Sequence, residues 1–214
     1  ANPTNSTTAE FTFTGENVVS FTCSLDGANA STCASPKQYS GLTAGAHTFN
    51  VYGVDSSSNQ GGDSYAWTID LTAPTATSFV RSNPTAELTN ADTLIFQVTF
   101  SETVTGVAAA DFAVHGATTA TIATVNPVSG SAYTVTISGG DLANFNGTVG
   151  LNFAASPTIQ DTAGNALPVP AAEPSTDETY LVDNMAPTTT IVSHPDPLSP
   201  TDSATFTFTG ADNE

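Results

Sequence analysis

The chain reads as strands for most of its length. In "LIFQVTF" the apolar residues Leu94, Phe96, Val98 and Phe100 occupy alternate positions, the spacing that puts side chains on one face of a β-strand. "YTVTI" (133–137) and "VGLNF" (149–153) continue the alternation, as do "FTFTG" (11–15), "FTCSL" (21–25), "HTFNVYGV" (47–54) and "YAWTID" (65–70). These stretches are short, rich in Thr, Val and Phe, and divided by Gly, Asn, Asp and Pro, residues that turn a chain. "AAADF" (108–112) has room for one helical turn. The pattern predicts an all-β fold of antiparallel β-sandwiches.

Two motifs recur at unequal spacing. "FTFTG" stands at Phe11–Gly15 and again at Phe206–Gly210, 195 residues on. Asp-x-x-Ala-Pro-Thr begins at Asp70 and at Asp183, 113 residues apart. The prolines favour extended connections and mark module boundaries. The division expected is a short module over 1–72, a longer one over 73–185, and the opening strands of a third over 186–214 that repeat the first. A start at Ala1 reads as a processed or excised piece. "APTTTIVSHPDP" ahead of the second "FTFTG" has no counterpart ahead of the first, so the short module is expected to lack its first strand. Two readings stand: an excerpt cut out of phase with its repeat, or a subunit whose tail lends a strand to the next copy, head to tail.

Charge narrows the function classes. Twenty acidic residues face one lysine, Lys37, and one arginine, Arg81, for a net charge of −18. No basic patch exists to neutralise phosphates, which argues against nucleic acid, and anionic membrane surfaces are disfavoured equally. No apolar run reaches the roughly 18 residues needed to span a bilayer. Cys23 and Cys33 are the only cysteines. They fall in successive strands of one expected hairpin and read as a disulfide, hence an oxidising, extracellular setting. The alternative is a pair of buried thiols.

"FTCSLDG", "YSGLTAGAHTFNVYGVD" and "WTID" in the short module, with "VTFSETVTGVAAADFAV" and "IQDTAGN" in the long one, carry a resemblance. The chain resembles the bacterial immunoglobulin-like tandem domains of large cell-surface and secreted adhesins, over nearly its whole length. The resemblance implies tandem immunoglobulin-like sandwiches stiffened by Ca²⁺ near the module junctions.

The residues themselves offer a candidate for that ion. "DSSSN" (Asp55–Asn59) and "DTAGN" (Asp161–Asn165) share the form Asp-x-x-x-Asn. Each brings a carboxylate and an amide together, the hard oxygen donors that Ca²⁺ takes. An acidic residue after an early strand and an Asp at the boundary complete each set: Glu16, Asp55, Asn59 and Asp70 in the short module, and Glu102, Asp161, Asn165 and Asp183 in the long one. The competing reading is an Asx-turn and nothing more.

Catalytic signatures are missing: there is no G-x-S-x-G elbow, H-E-x-x-H or phosphate-binding glycine loop. His47, His115 and His194 are too scattered for a zinc site. Trp67 is expected in the core, and His47 in a structural role at a strand start. The function expected is an extracellular structural spacer of a surface adhesin, filament or sheath, with neighbouring modules or copies of itself as partners. The rival is a glycan- or host-protein-binding module using loops such as "SLDGANAST" (24–32) or "GGDLANFNG" (139–147).

Overall fold

A computed structural model describes residues 2–195 and 202–211. The strands in chain order are β1 (Ala9–Phe11), β2 (Val18–Leu25), β3 (Ser31–Cys33), β4 (Lys37–Tyr39), β5 (Gly45–Asp55), β6 (Gln60–Ile69), β7 (Ala76–Asn83), β8 (Leu88–Thr89), β9 (Thr93–Phe100) and β10 (Val104–Thr105). They continue with β11 (Phe112–His115), β12 (Thr121–Pro127), β13 (Ala132–Ser138), β14 (Gly147–Phe153), β15 (Gln160–Asp161), β16 (Thr176–Asp177), β17 (Tyr180–Val182), β18 (Thr188–Ser193) and β19 (Thr207–Ala211). The described residues contain no α-helix; "AAADF" supplies one 3₁₀ turn at Ala109–Asp111. The fold is all-β, with several antiparallel sheets.

The chain divides into two compact units. The first joins Ala1–Thr75 to Phe100–Val107 and Thr158–Ala171; the second holds Ala76–Thr99, Ala108–Pro157 and Ala172–Glu214. Two stretches that the linear division assigns to the long module, 100–107 and 158–171, therefore cluster with the short one. They carry β10 and β15, which pair with each other.

In the first unit β3-β2-β5-β6 form one sheet and β1-β4 another. The β2–β3 connection turns on Asp26 and Gly27, both at positive φ (53° and 73°), and the Ala28 N–H closes it on the Leu25 carbonyl at 2.9 Å. Asp and Gly tolerate this left-handed conformation, which reverses the chain at the start of the five-residue connection, 26–30, that leads to β3. Cys23 sits opposite Ser31 and Cys33 opposite Phe21; the two cysteines form a disulfide with Cα atoms 5.8 Å apart. Cys23, Phe49, Trp67 and Ile69 make the buried cluster, with Phe11 stacked on Phe49 at 4.1 Å. Trp67 is a core residue, as its strand context indicates.

His47 is buried, 7% exposed, and both ring nitrogens meet acceptors. Nδ1 lies 2.8 Å from an Asp26 carboxylate oxygen and Nε2 lies 2.8 Å from the Thr43 carbonyl. Only the protonated ring donates at both positions. The Thr43 carbonyl first, then Asp26, raise the imidazole above its ordinary value of about 6.5, against the pull of burial. Burial would push Asp26 up, yet the bonds from His47 and the Thr48 N–H hold it below the usual carboxylate range. The pair stabilises the fold at pH values between the two. Its contribution is lost as pH rises through the raised His47 value, or falls through the lowered Asp26 value. Trp67, 5.3 Å from the His47 ring, is the only tryptophan. Its fluorescence is expected to titrate above pH 6.5, and His47→Gln to abolish the step; an unchanged titration in the variant would refute the assignment.

In the second unit a five-stranded sheet runs β12-β13-β9-β7-β16 and a four-stranded sheet β11-β14-β17-β8. Leu94, Phe96 and Val98 are buried, the face their spacing predicts, and Phe100 at the end of β9, counted with the first unit, is buried as well. Val135 and Ile137 on β13 and Val149 and Leu151 on β14 are buried with equal completeness. Rings from the two sheets meet: Phe96 against Tyr180 at 5.0 Å and Phe79 against Phe153 at 5.2 Å, both edge-on, the geometry a ring quadrupole favours. Tyr180 is fully buried, its hydroxyl 2.7 Å from the Pro84 carbonyl and 2.8 Å from that of Ile95. Tyr180→Phe is expected to cost about 1 kcal/mol in urea unfolding followed by circular dichroism, since it strips a buried donor from two carbonyls.

The two copies of "FTFTG" differ. Thr207–Ala211 is the strand β19, paired with β18 so that Ile191 faces Phe208 and Thr190 faces Thr209. In the first copy the strand β1 ends at Phe11, after pairing Ala9–Phe11 with β4. Thr12–Gly15, expected as strand from its alternation, has no strand partner among the described residues; the Phe13 N–H bonds the Ser35 hydroxyl instead. Alternation prepares a strand, and a neighbour with free backbone groups completes it.

Candidate metal centre

Three separate stretches of the first unit converge on one point. Asp70 follows the last residue of β6, Glu102 precedes β10 by two residues, and Asp161 ends β15. Pairing of Val104 with Asp161 and of Thr105 with Gln160 brings the second and third stretches together. Asn165 ties in the first, since its side-chain amide donates to the Asp161 carboxylate at 2.8 Å and to the Asp70 carbonyl at 2.9 Å. One carboxylate oxygen from each of Asp70, Glu102 and Asp161 lies within 4.8 Å of the others. Among the described residues this is the one place where three such side chains gather.

The charges on this cluster are not equivalent. Asp161 is buried, 2% exposed. Burial alone would raise its carboxyl, but the Asn165 side chain and the backbone N–H groups of Asn165, Gly164 and Ala163 hold it low. Glu102 gives way instead. Burial first, then the charges of Asp161 and Asp70, push it above the ordinary glutamate value. A hard divalent cation would relieve that repulsion, and an all-oxygen donor set suits Ca²⁺ better than a thiophilic metal. Carbonyls and water would have to fill the remainder of a six- to eight-oxygen shell.

The sequence-derived sets are regrouped in space. Asp161, Asn165 and Glu102 come together, joined by Asp70 from the other set. Asp183 lies in the second unit, its carboxylate accepting the Met185 N–H at 2.9 Å and its N–H donating to the Thr89 carbonyl. Asp70 repeats this bonding with Thr72 and Thr4. Glu16, Asp55 and Asn59 instead line a groove of about 600 Å³. The loop after Asp55 is an Asx-turn: one carboxylate oxygen accepts the N–H groups of Ser57 and Asn59 at 2.8 and 2.9 Å, and the other accepts the Asn59 amide. Asp161 forms the same loop with Gly164 and Asn165. The turn and the acidic cluster are compatible there, because the turn orients the carboxylate without neutralising it. The loop at 139–147 is pinned, with Leu142 buried and the Leu142 and Phe145 carbonyls bonded by Asn184.

Sequence reading did not find the Asp26–His47 pair, the groove, or the partnership of Asp70 with Glu102. Asp-Gly and Gly-Ala-His were visible, but nothing linear couples positions 26 and 47. No protein-family model matches the chain, and no curated protein is similar to it.

Proposed function

We propose that the chain is an extracellular structural spacer: tandem immunoglobulin-like sandwiches of a bacterial surface adhesin, filament or sheath, stiffened by Ca²⁺ and joined head to tail by strand addition. The convergence of Asp70, Glu102 and Asp161 carries the reading. One ion there would cross-link three stretches far apart in sequence, the way a metal adds rigidity to a fold with small cores. The recurring bonding at the module ends supports it. Asp70 and Asp183 each close on a threonine carbonyl, and the Asp-x-x-x-Asn loops are bonded alike. The disulfide suits an oxidising compartment. No described helix is long and apolar enough to cross a membrane. The acidic surface keeps copies apart in the absence of divalent ions.

Small-angle scattering of the chain in millimolar Ca²⁺ and in EDTA tests the stiffening. A narrower distribution of particle dimensions with Ca²⁺ is expected; identical curves would defeat the calcium part of the reading.

A further inference from the structure

The groove lined by Glu16, Asp55 and Asn59 is lined also by the rest of the Thr12–Glu16 segment, by the Gln60–Asp63 end of β6, and by Phe21 and Val51. A second hollow of about 230 Å³ shares Thr12, Phe13, Val51 and Asp63 and carries the opening on past Phe11 and Tyr65. The lining segment, 12–16, is the part of the first "FTFTG" that has no strand partner. The second copy of that sequence shows what such a partner is. Thr207–Ala211 lies 195 residues after Thr12–Glu16 and is paired throughout with β18.

We infer that the groove is the acceptor for a strand of a second copy of this chain, and that the strand is Thr188–Ser193. The inference rests on the strand-addition part of the function proposed above and supplies its acceptor and register. Carried over from the β18–β19 hairpin, the register places Ile191 opposite Phe13, Thr190 opposite Thr14, Thr189 opposite Gly15 and Thr188 opposite Glu16. The exchange conserves backbone pairing, because the acceptor sequence Thr-Phe-Thr-Gly is the same in both places. It gains burial. In the hairpin Ile191 and Val192 are 63% and 62% exposed, whereas the groove offers Phe13, Phe21 and Val51. Trading an intrachain strand for an identical one from another copy is the economy of domain swapping, with main-chain bonds supplying affinity and side-chain hollows specificity. The donor segment has no carboxylate, so it enters a groove edged by Glu16, Asp55 and Asp63 without like-charge repulsion.

Single-cysteine pairs test the register on the full chain, whose own two cysteines are closed in the disulfide. Chains carrying Thr14→Cys are mixed with chains carrying Thr190→Cys under mild oxidation. A disulfide-linked heterodimer is expected from this pair and not from Thr14→Cys with Thr188→Cys. In parallel, a fluorescein-labelled peptide of residues 186–194 is titrated with the unmodified chain and read by anisotropy. Saturable binding is expected, with at least a tenfold loss in Gly61→Phe. Gly61 lines the groove and has open space where a side chain would begin, so a phenylalanine there adds bulk to the groove from a position free to carry a side chain. No heterodimer together with no saturable binding overturns the inference, as does preferential trapping of the Thr188 pair. The scattering comparison reads calcium alone. A trapped dimer with unchanged scattering defeats the calcium reading and leaves the strand assignment intact; the reverse result defeats the strand assignment only.

Discussion

Reducing the Cys23–Cys33 disulfide is expected to destabilise the first unit by roughly 3 kcal/mol. The bridge closes a loop with a sequence separation of 10, and loop-closure entropy is removed from the unfolded chain in proportion to the logarithm of that length. The effect is large for this unit because its buried cluster is small: Cys23, Phe49, Trp67 and Ile69, with partly buried residues around them. Trp67 makes the measurement local. With an m-value of about 1–3 kcal/mol/M, the urea midpoint read by its fluorescence should fall by about 1–3 M on reduction. The double variant Cys23→Ala, Cys33→Ala should behave likewise. A midpoint unchanged by reduction would show that the bridge does not limit the unfolded chain.

Calcium is expected to raise stability by about 2.7 kcal/mol when free ion exceeds its dissociation constant a hundredfold, read as an upward shift in melting temperature. The sharper expectation is a crossing of effects at Glu102. Its carboxyl is raised by burial and by Asp161 and Asp70, so without metal the folded state favours the protonated form. That contribution is fully present below the unfolded-state value and is lost as pH rises through the raised one. Calcium binds the ionised cluster, so its affinity runs the other way and is lost as pH falls through the same value. Glu102→Gln should therefore raise the melting temperature at neutral pH in EDTA and remove most of the calcium increment. Calorimetry with and without Ca²⁺, from pH 4 to 7.5, checks both signs. An equal calcium response in the variant and the parent chain would rule out the Asp70–Glu102–Asp161 centre.

Much of the strand architecture was legible because alternation is local. "TLIFQVTF" is buried at every second residue from Leu94 to Phe100, and "AYTVTIS" follows at Tyr133, Val135 and Ile137. A period of two needs only one buried face to become readable. "FTFTG" shows the limit of the same signal. The shared residues form a strand at Thr207–Ala211 and none at Thr12–Gly15, because β18 pairs with the one and no described strand pairs with the other. The candidate centre was legible in its members and not in its grouping. Asp70, Glu102, Asp161 and Asn165 were each singled out by type and spacing, but the expected set paired Asp183 with the last three.

The all-β character, the buried faces of the long strands, and the placing of the two lone cysteines in one hairpin, with a disulfide as the leading reading, could be had from the residues alone. All of these depend on residues within a few positions of each other, or on the absence of any other candidate partner. Tertiary structure alone decided which carboxylates meet. The pairing of β10 with β15 and the reach of Asn165 to the Asp70 carbonyl bring together positions 70, 102 and 161, and no local periodicity encodes contacts across such distances. Tertiary structure likewise decided that His47 lies between Asp26 and Thr43, and that the first "FTFTG" borders an open groove. In each case the deciding quantity is which distant backbone lies alongside, set by the packing of the whole unit rather than by any one stretch of sequence.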